Sequence, residues 1–405
     1  MNLKNILDGI EGLKAKGELD LEIEGIESNS KKIEKGFLFV AIKGFTVDGH
    51  EFIGSAIENG AVAVVVDELC DLKALKIPSN VTLIVAKDTR EFLALASANF
   101  YGNPSEKFKL IGITGTKGKT TTTFMIKEIL EKAGKKVGLI GTIATYINGK
   151  KIADSDRTTP ESLELQRMFA DMVKEGVEYV VMEVSSQSLK LHRVDGCHFD
   201  YVAFTNFSED HISEKEHPNM EDYLQSKLKL FKMCKTGFVN IDDLQGNKIP
   251  AMFPDSDITG YGIDNFGNFL AKDITITNSY VDFKAKIADR NERVKVDIPG
   301  RFTVYNALCA ICVCRKIGIE SQVMKEALEK IKVPGRSEMV ENKLEIPIMI
   351  DYAHSPESLQ NILQAVKSYT RGRVISVFGC GGDRDTRKRP IMGEISGKIA
   401  DYTII

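Results

Sequence analysis

Apolar residues fall into short runs that alternate with amphipathic stretches along nearly the whole chain. Up to about residue 100, the runs 37–42 (FLFVAI) and 61–66 (AVAVVV) flank the helical stretch HEFIGSAIENG, which predicts a small α/β domain. From Leu110 the units lengthen: KLIGIT before a helix starting at Lys119, YVVMEVS after the helix PESLELQRMFADMVKEG, and YVAFTN before the helix MEDYLQSKLKLFKMC. Continuous apolar strands alternating with amphipathic helices predict a mostly parallel sheet buried on both faces. Residues 270–298 alternate with period two, as antiparallel strands do.

The stretch IPGRFTVYNALCAICVCRKIG joins a Pro-Gly break to a new helix, so a boundary is expected near Pro299. Beyond it the α/β rhythm returns: IPIMIDYA, a helix capped by Ser355 with Pro356 in its first turn, RVISVFG, the helix RPIMGEISGKIA and the strand DYTII. The sequence stops on that apolar strand, and since a parallel sheet is covered on both faces, the last domain is expected to be incomplete. The expected organisation is three α/β domains over residues 1–100, 101–299 and 300–405.

Composition narrows the partners. Lys and Arg number 54 against 57 Asp and Glu, a net charge of -3, which gives no bulk attraction to nucleic acid or anionic membrane. No segment is apolar for long enough to span a bilayer, and Asp8, Glu11 and Lys14 interrupt the N-terminal apolar positions, so neither a signal peptide nor membrane insertion is expected. Seven scattered cysteines suit reduced thiols in a cytoplasmic protein. Any anion has to be held by local geometry.

That geometry is offered by LIGITGTKGKTTTT, a strand running into a glycine-rich turn and a helix. Small residues let backbone N–H groups crowd phosphate oxygens, the helix N-terminus adds partial positive charge, Lys119 can reach the outer phosphates and Thr120 can ligate Mg²⁺. The strict phosphate-loop spacing asks for glycine at 113, where Ile113 stands; the glycines are Gly112, Gly115 and Gly118. The order of strand, turn, GKT and helix still predicts an ATP site.

The segment GTKGKTTT resembles the ATP loop of the Mur ligases, the cytoplasmic amide-forming enzymes of peptidoglycan assembly. RTTPES, MEVSSQSLKLHRV, FTNFSEDH, YLQSKLKLF, RFTVYNAL, VPGRSE, DYAHSPESL and FGCGGDRDTRKRP follow in the family's order, and together they are similar to its MurE branch. The resemblance implies an ATP- and Mg²⁺-dependent ligase that adds a third stem-peptide residue, meso-diaminopimelate or L-lysine, to UDP-MurNAc-L-Ala-D-Glu through an acyl phosphate. It also implies a central P-loop ATPase-like domain, a Rossmann-like C-terminal domain, and a DNPR-like selector of the amino acid that would follow ADYTII. A monomer is expected.

The resemblance implies roles for particular residues. Gly115, Thr116, Lys117, Gly118, Lys119, Thr120 and Thr121 would cradle ATP, with Asn306, Arg336 and Asp351 closing over it and His354 near the nucleotide. Thr120, Glu183, His211 and Lys227 would serve Mg²⁺, Lys227 after carbamylation by CO₂, since an ammonium cannot ligate a metal. Thr158, Thr159, Ser185 and Arg193 would hold the muramoyl dipeptide, and Ser28, Ser30, Phe45, Thr46 and Val47 the uridine diphosphate. Arg384 would meet the incoming amino acid, and closure with a hinge near 299–301 would keep water from the acyl phosphate.

Two signals point elsewhere on first sight. CAICVC suggests metal, but Cys309, Cys312 and Cys314 lie in an apolar helical run with no second ligand cluster, which predicts a core role. GCGGD lacks the spacing of a dinucleotide fingerprint. The remaining alternatives are another Mur branch, a folylpolyglutamate-type ligase, or a regulator that binds nucleotide without catalysis; intact Lys119, Glu183, His211 and Lys227 argue against the last.

Overall fold

The computed structural model describes all residues except 73–74, 214–215, 266, 288–289, 345 and 382–385. Its chain divides into two compact units that are interleaved in sequence, one of 1–115, 136–202 and 208–236, the other of 116–135, 203–207 and 237–405.

The first unit opens with a five-stranded sheet in the order Lys14–Lys16, Thr82–Ala86, Ala61–Asp67, Phe37–Val40, Gly25–Glu27. The first pair is antiparallel and the others are parallel. Strand periodicity explains its two cores: Leu38, Val40, Ala63, Val65 and Ile84 pack on one face, Phe39, Ala41, Val64, Val66 and Val85 on the other. A second parallel arrangement sets Tyr179–Glu183 between Lys109–Thr114 and Val137–Ile140, with Glu183 opposite Ile113 and Met182 opposite Ile140. Ala144–Ile147 and Lys150–Asp154 extend it antiparallel. Glu183 therefore ends the middle strand at the carboxyl edge, where ligand sites of parallel sheets gather.

Helices cover this arrangement in the expected way. Ser162–Lys174 buries Leu165, Phe169 and Met172, one stripe of a 3.6-residue period. Met220–Lys232 packs on the strand Lys109–Thr114 and buries Leu224, Leu228 and Phe231 together with Lys227.

In the second unit the helix Lys119–Lys132 packs against Arg301–Ile317 and Ser321–Glu329. The period-two stretch forms antiparallel strands, Phe269–Ile276, Val281–Ile287 and Arg290–Val296. Cys309, Cys312 and Cys314 are wholly buried in Arg301–Ile317, and all seven cysteines are free thiols. Burial pushes the Cys309 thiol up to about 12, as befits core packing and not reactivity. Ser355 caps Pro356–Tyr369 through a reciprocal box with Ser358, and Leu359, Leu363, Val374 and Met392 form a small core beside the parallel pair Ile375–Val377 and Tyr402–Ile404. Among the described residues, no helix is long and apolar enough to cross a membrane.

Candidate active site

The phosphate turn is fixed by the second unit's own residues. Thr116 N–H donates to the Asn206 carbonyl at 2.9 Å, Lys117 N–H donates to Asn206 Oδ1 at 2.9 Å, and Asn206 Nδ2 returns a bond to the Lys117 carbonyl at 3.0 Å. Thr205 Oγ1 donates to the same carbonyl at 2.6 Å. Gly118, at φ +86°, turns the chain into the helix, and a Cβ there would stand 2.5 Å from Asn306 Oδ1. Only glycine accepts both that backbone region and that approach. Lys119 folds back to donate to the Thr116 carbonyl at 3.1 Å.

A cavity of about 380 Å³ opens beside this turn, large enough for a small ligand. Lys117, Gly118 and Thr121 line one part, Asn306 and Arg336 another, and Asp351 a third. Arg336 donates to the Thr120 hydroxyl at 3.2 Å and lies 4.5 Å from the Tyr352 ring centre. Its buried Nε has no hydrogen-bond partner among the described residues, a donor suited to an anion. Asp351 receives Ser337 N–H at 2.8 Å, and Lys117 Nζ reaches Ser355 Oγ at 3.3 Å. His354 is exposed and absent from the cavity wall; its Nδ1 meets the Tyr352 carbonyl at 2.9 Å.

Sequence reasoning overlooked several cavity residues. Asn206 stands in FTNFSEDH directly after a strand, a signal that was visible. Asp242 and Tyr305 also line the cavity, and the Tyr305 hydroxyl donates to Asp242 at 3.0 Å. Burial works against the Asp242 charge, but backbone N–H groups of Asp264, Ile263 and Asn265 bond it and hold its carboxyl below the usual range.

The first unit gathers a second set. Glu183 is 1% exposed; its Oε1 accepts Thr142 N–H at 2.8 Å and its Oε2 accepts the Thr142 hydroxyl at 3.1 Å. Thr142 Oγ1 lies 3.0 Å from Thr158 Oγ1, Thr159 Oγ1 donates to the Glu183 carbonyl at 2.9 Å, and Ser185 N–H donates to Thr159 Oγ1 at 3.1 Å. Arg193 donates to the Thr159 carbonyl at 3.2 Å and pairs with Glu161 at 3.0 Å, while its buried Nε has no partner among the described residues. Glu183, Thr158, Thr159, Ser185 and Arg193 thus form one hydrogen-bonded cluster. Thr142, in the Gly-Thr turn after Val137–Ile140, belongs to it and was not foreseen.

Lys227 is 1% exposed, against the solvated position usual for a helical lysine. Its Nζ donates to the Gly115 carbonyl at 2.9 Å and stands 4.4 Å from the Tyr223 ring centre. His211 is at φ +59°, exposed, with Nδ1 2.8 Å from Glu216 Oε2 and its ring 5.9 Å from Tyr223. Tyr223 therefore has Lys227 and His211 as neighbours.

In the N-terminal sheet, Ser28 and Ser30 follow Gly25–Glu27 and the turn of Phe45, Thr46 and Val47 follows the adjacent parallel strand Phe37–Val40. Both segments leave the carboxyl edge. Phe45 and Val47 are exposed, Ser30 is buried, and Gly44 N–H closes the turn on the Val47 carbonyl at 2.9 Å. Arg384 lies outside the described residues.

Comparison with known proteins adds relatives to this geometry. Residues 22–101 match the family model "Mur ligase family, catalytic domain", 113–314 "Mur ligase middle domain" and 335–405 "Mur ligase, glutamate ligase domain". A protein of Caldanaerobacter subterraneus subsp. tengcongensis named UDP-N-acetylmuramoyl-L-alanyl-D-glutamate--2,6-diaminopimelate ligase is 47% identical over 409 residues, which take in 100% of this chain and 82% of that one. One of the same name from Clostridium botulinum is 47% identical over 408 residues, 100% of this chain and 83% of that one. A solved structure of a ligase of that name aligns with a TM-score of 0.78 at 25% identity, covering 100% of this chain and 81% of that chain. With matching models along the chain and such identity across its full length, the chain belongs to the Mur ligase family.

Proposed function

We propose that the chain is an ATP-dependent ligase that joins 2,6-diaminopimelate to UDP-N-acetylmuramoyl-L-alanyl-D-glutamate, the reaction its relatives are named for. A carboxylate oxygen is a poor leaving group, so the D-Glu carboxylate first attacks the γ-phosphorus of ATP. The P–O bond to ADP breaks and an acyl phosphate forms. The diaminopimelate amine then attacks the acyl carbon, the C–O bond to phosphate breaks, and the nitrogen loses a proton as the amide forms. Two anions meet in the first step, so cations at the meeting point set the rate.

The observation that carries the reading is the 380 Å³ cavity where the phosphate turn, Asn306, Arg336 and Asp351 come together. Gly115 to Thr121 and these residues are assigned to ATP, with Lys119 and Arg336 opposing phosphate charge, and His354 is assigned to the nucleotide as well. Thr158, Thr159, Ser185 and Arg193 are assigned to the dipeptide, and Arg193 Nε is a donor suited to its carboxylate. Ser28, Ser30, Phe45, Thr46 and Val47 are assigned to the uridine diphosphate, and Arg384 to the amino acid.

Mg²⁺ takes oxygen ligands, and the Glu183 carboxylate and Thr120 hydroxyl fit it. His211 is assigned as a further ligand through nitrogen. Lys227 fits only as a carbamate: its neutral amine adds to CO₂, an N–C bond forms, one proton leaves, and a cation becomes a carboxylate-like anion. Bound Mg²⁺ would neutralise phosphate charge. The division into domains 1–100, 101–299 and 300–405, a monomeric state and a cytoplasmic location complete the proposal.

The test is incubation with ATP, Mg²⁺ and UDP-MurNAc-L-Ala-D-Glu, offering meso-diaminopimelate or L-lysine separately. Mass spectrometry should find ADP and a diaminopimelate tripeptide. A lysine tripeptide would overturn the amino acid, and phosphate release with folate but none with the dipeptide would overturn the reaction.

A further inference from the structure

His217 played no part in the assignments above, yet it is wholly buried among the segments that carry them. Its Nδ1 is 2.6 Å from Asp222 Oδ2 and its Nε2 2.9 Å from Ser186 Oγ. Ser186 directly follows Ser185; Asp222 lies on the helix that carries Lys227. The backbone N–H of His217 donates to the His211 carbonyl at 3.3 Å, and its carbonyl accepts Ser213 N–H at 2.9 Å, which closes the loop that presents His211. Asp222 Oδ2 also takes Lys190 Nζ at 2.8 Å, and the imidazole is 5.0 Å from the Tyr223 ring, on which Lys227 rests.

Serine, histidine and aspartate in this order form the hydrogen-bond chain of a hydrolytic triad. Ser186 is only 4% exposed, so its hydroxyl orients the ring and does not present a nucleophile. The chemistry of the partners sets the tautomer: a carboxylate accepts, so Nδ1 carries the proton, and Nε2 accepts from the serine. A ring held at both nitrogens has one orientation. It fixes the helix of Lys227 relative to the loop of His211 and the segment of Ser185.

We infer that His217 is a positioning residue: through Nδ1–H to Asp222 and its backbone bond to His211, it sets where Lys227 and His211 stand for the reaction. The inference rests on the ligase reading above. Its consequence is specific to the Nδ1 side. Asparagine places its amide nitrogen near Nδ1 and keeps the donor to Asp222, whereas glutamine reaches the Nε2 position and loses it.

The full chain with His217→Asn, His217→Gln and His217→Ala is assayed for kcat and for KM of ATP, with melting temperature and ¹³C-bicarbonate NMR of the Lys227 carbamate alongside. kcat should fall at least thirtyfold in the Ala and Gln variants and less than fivefold in the Asn variant, with KM for ATP within twofold throughout. The carbamate signal should weaken in the same order as kcat. Should Ala destabilise the fold, Asp222→Asn keeps the side-chain shape and is expected to lower kcat, with a loss that does not add to that of His217→Gln. Equal losses in Asn and Gln, losses that follow melting temperature alone, or an additive Asp222 effect would overturn the inference. A wild-type chain that turns over without a carbamate signal would overturn the Lys227 assignment, and the kcat order would then decide on His217 by itself.

Discussion

Gly118→Ala tests the phosphate turn at its tightest point. The new Cβ would stand 2.5 Å from Asn306 Oδ1, about 1 Å short of the ~3.5 Å at which non-bonded carbon atoms begin to rest comfortably. Two costs separate. Holding alanine at φ +86° takes roughly 1–2 kcal/mol from folding stability. Relieving the contact moves either the turn or Asn306, and losing one bond to a charged phosphate group costs about 1.5–3 kcal/mol, which is on the order of 10- to 150-fold in affinity. Gly134→Ala isolates the first cost, because Gly134 has φ +79° and nothing within 4 Å of its would-be Cβ. Isothermal titration with a non-hydrolysable ATP analogue, paired with melting temperatures, should show both variants similarly destabilised and only Gly118→Ala weakened in binding by tenfold or more. Binding by Gly118→Ala within twofold of wild type, at the melting temperature of Gly134→Ala, would refute the assignment of this turn to phosphate.

Three further outcomes are expected. Asn206→Ala removes the acceptor for Lys117 N–H and one donor to its carbonyl, so the same titration should show about tenfold weaker binding, non-additive with Gly118→Ala because both act on one turn. Glu183→Gln keeps an acceptor for Thr142 N–H while removing the charge; melting should change little, and ADP formation in the presence of dipeptide should fall on the order of 10²–10³-fold. The hydrogen bond to Asp195 raises the pKa of His192 above its ordinary value, so the folded state holds the proton more tightly than the unfolded one. That stability is fully present below about pH 6.5 and is lost as pH rises through the raised value. Melting temperatures at pH 6 and pH 8.5 should therefore converge in His192→Gln relative to wild type, and an unchanged difference would count against it.

What the sequence determined by itself is local. The strand, glycine turn and helix around Lys119, the Ser355 cap and the two periodicities each depend on residues a few positions apart, whose backbone preferences and apolar spacing act before any long-range contact. Even the burial of Lys227 had a local signal, since it lies with Leu224, Leu228 and Phe231 on the stripe that faces the strand Lys109–Thr114, although its residue type argued for solvent. The family's motifs were equally legible, because each occupies a contiguous stretch.

Tertiary structure alone decided the partners. Asn206 and Asn306 reach the phosphate turn from far along the chain, Thr142 meets Glu183 only because neighbouring parallel strands end side by side, and His217 joins Ser186 to Asp222 across two turns and a helix. Hydrogen bonds between side chains far apart in sequence have a reach of about 3 Å and carry no trace in sequence spacing, so they become definite only when packing has brought their elements to a fixed separation.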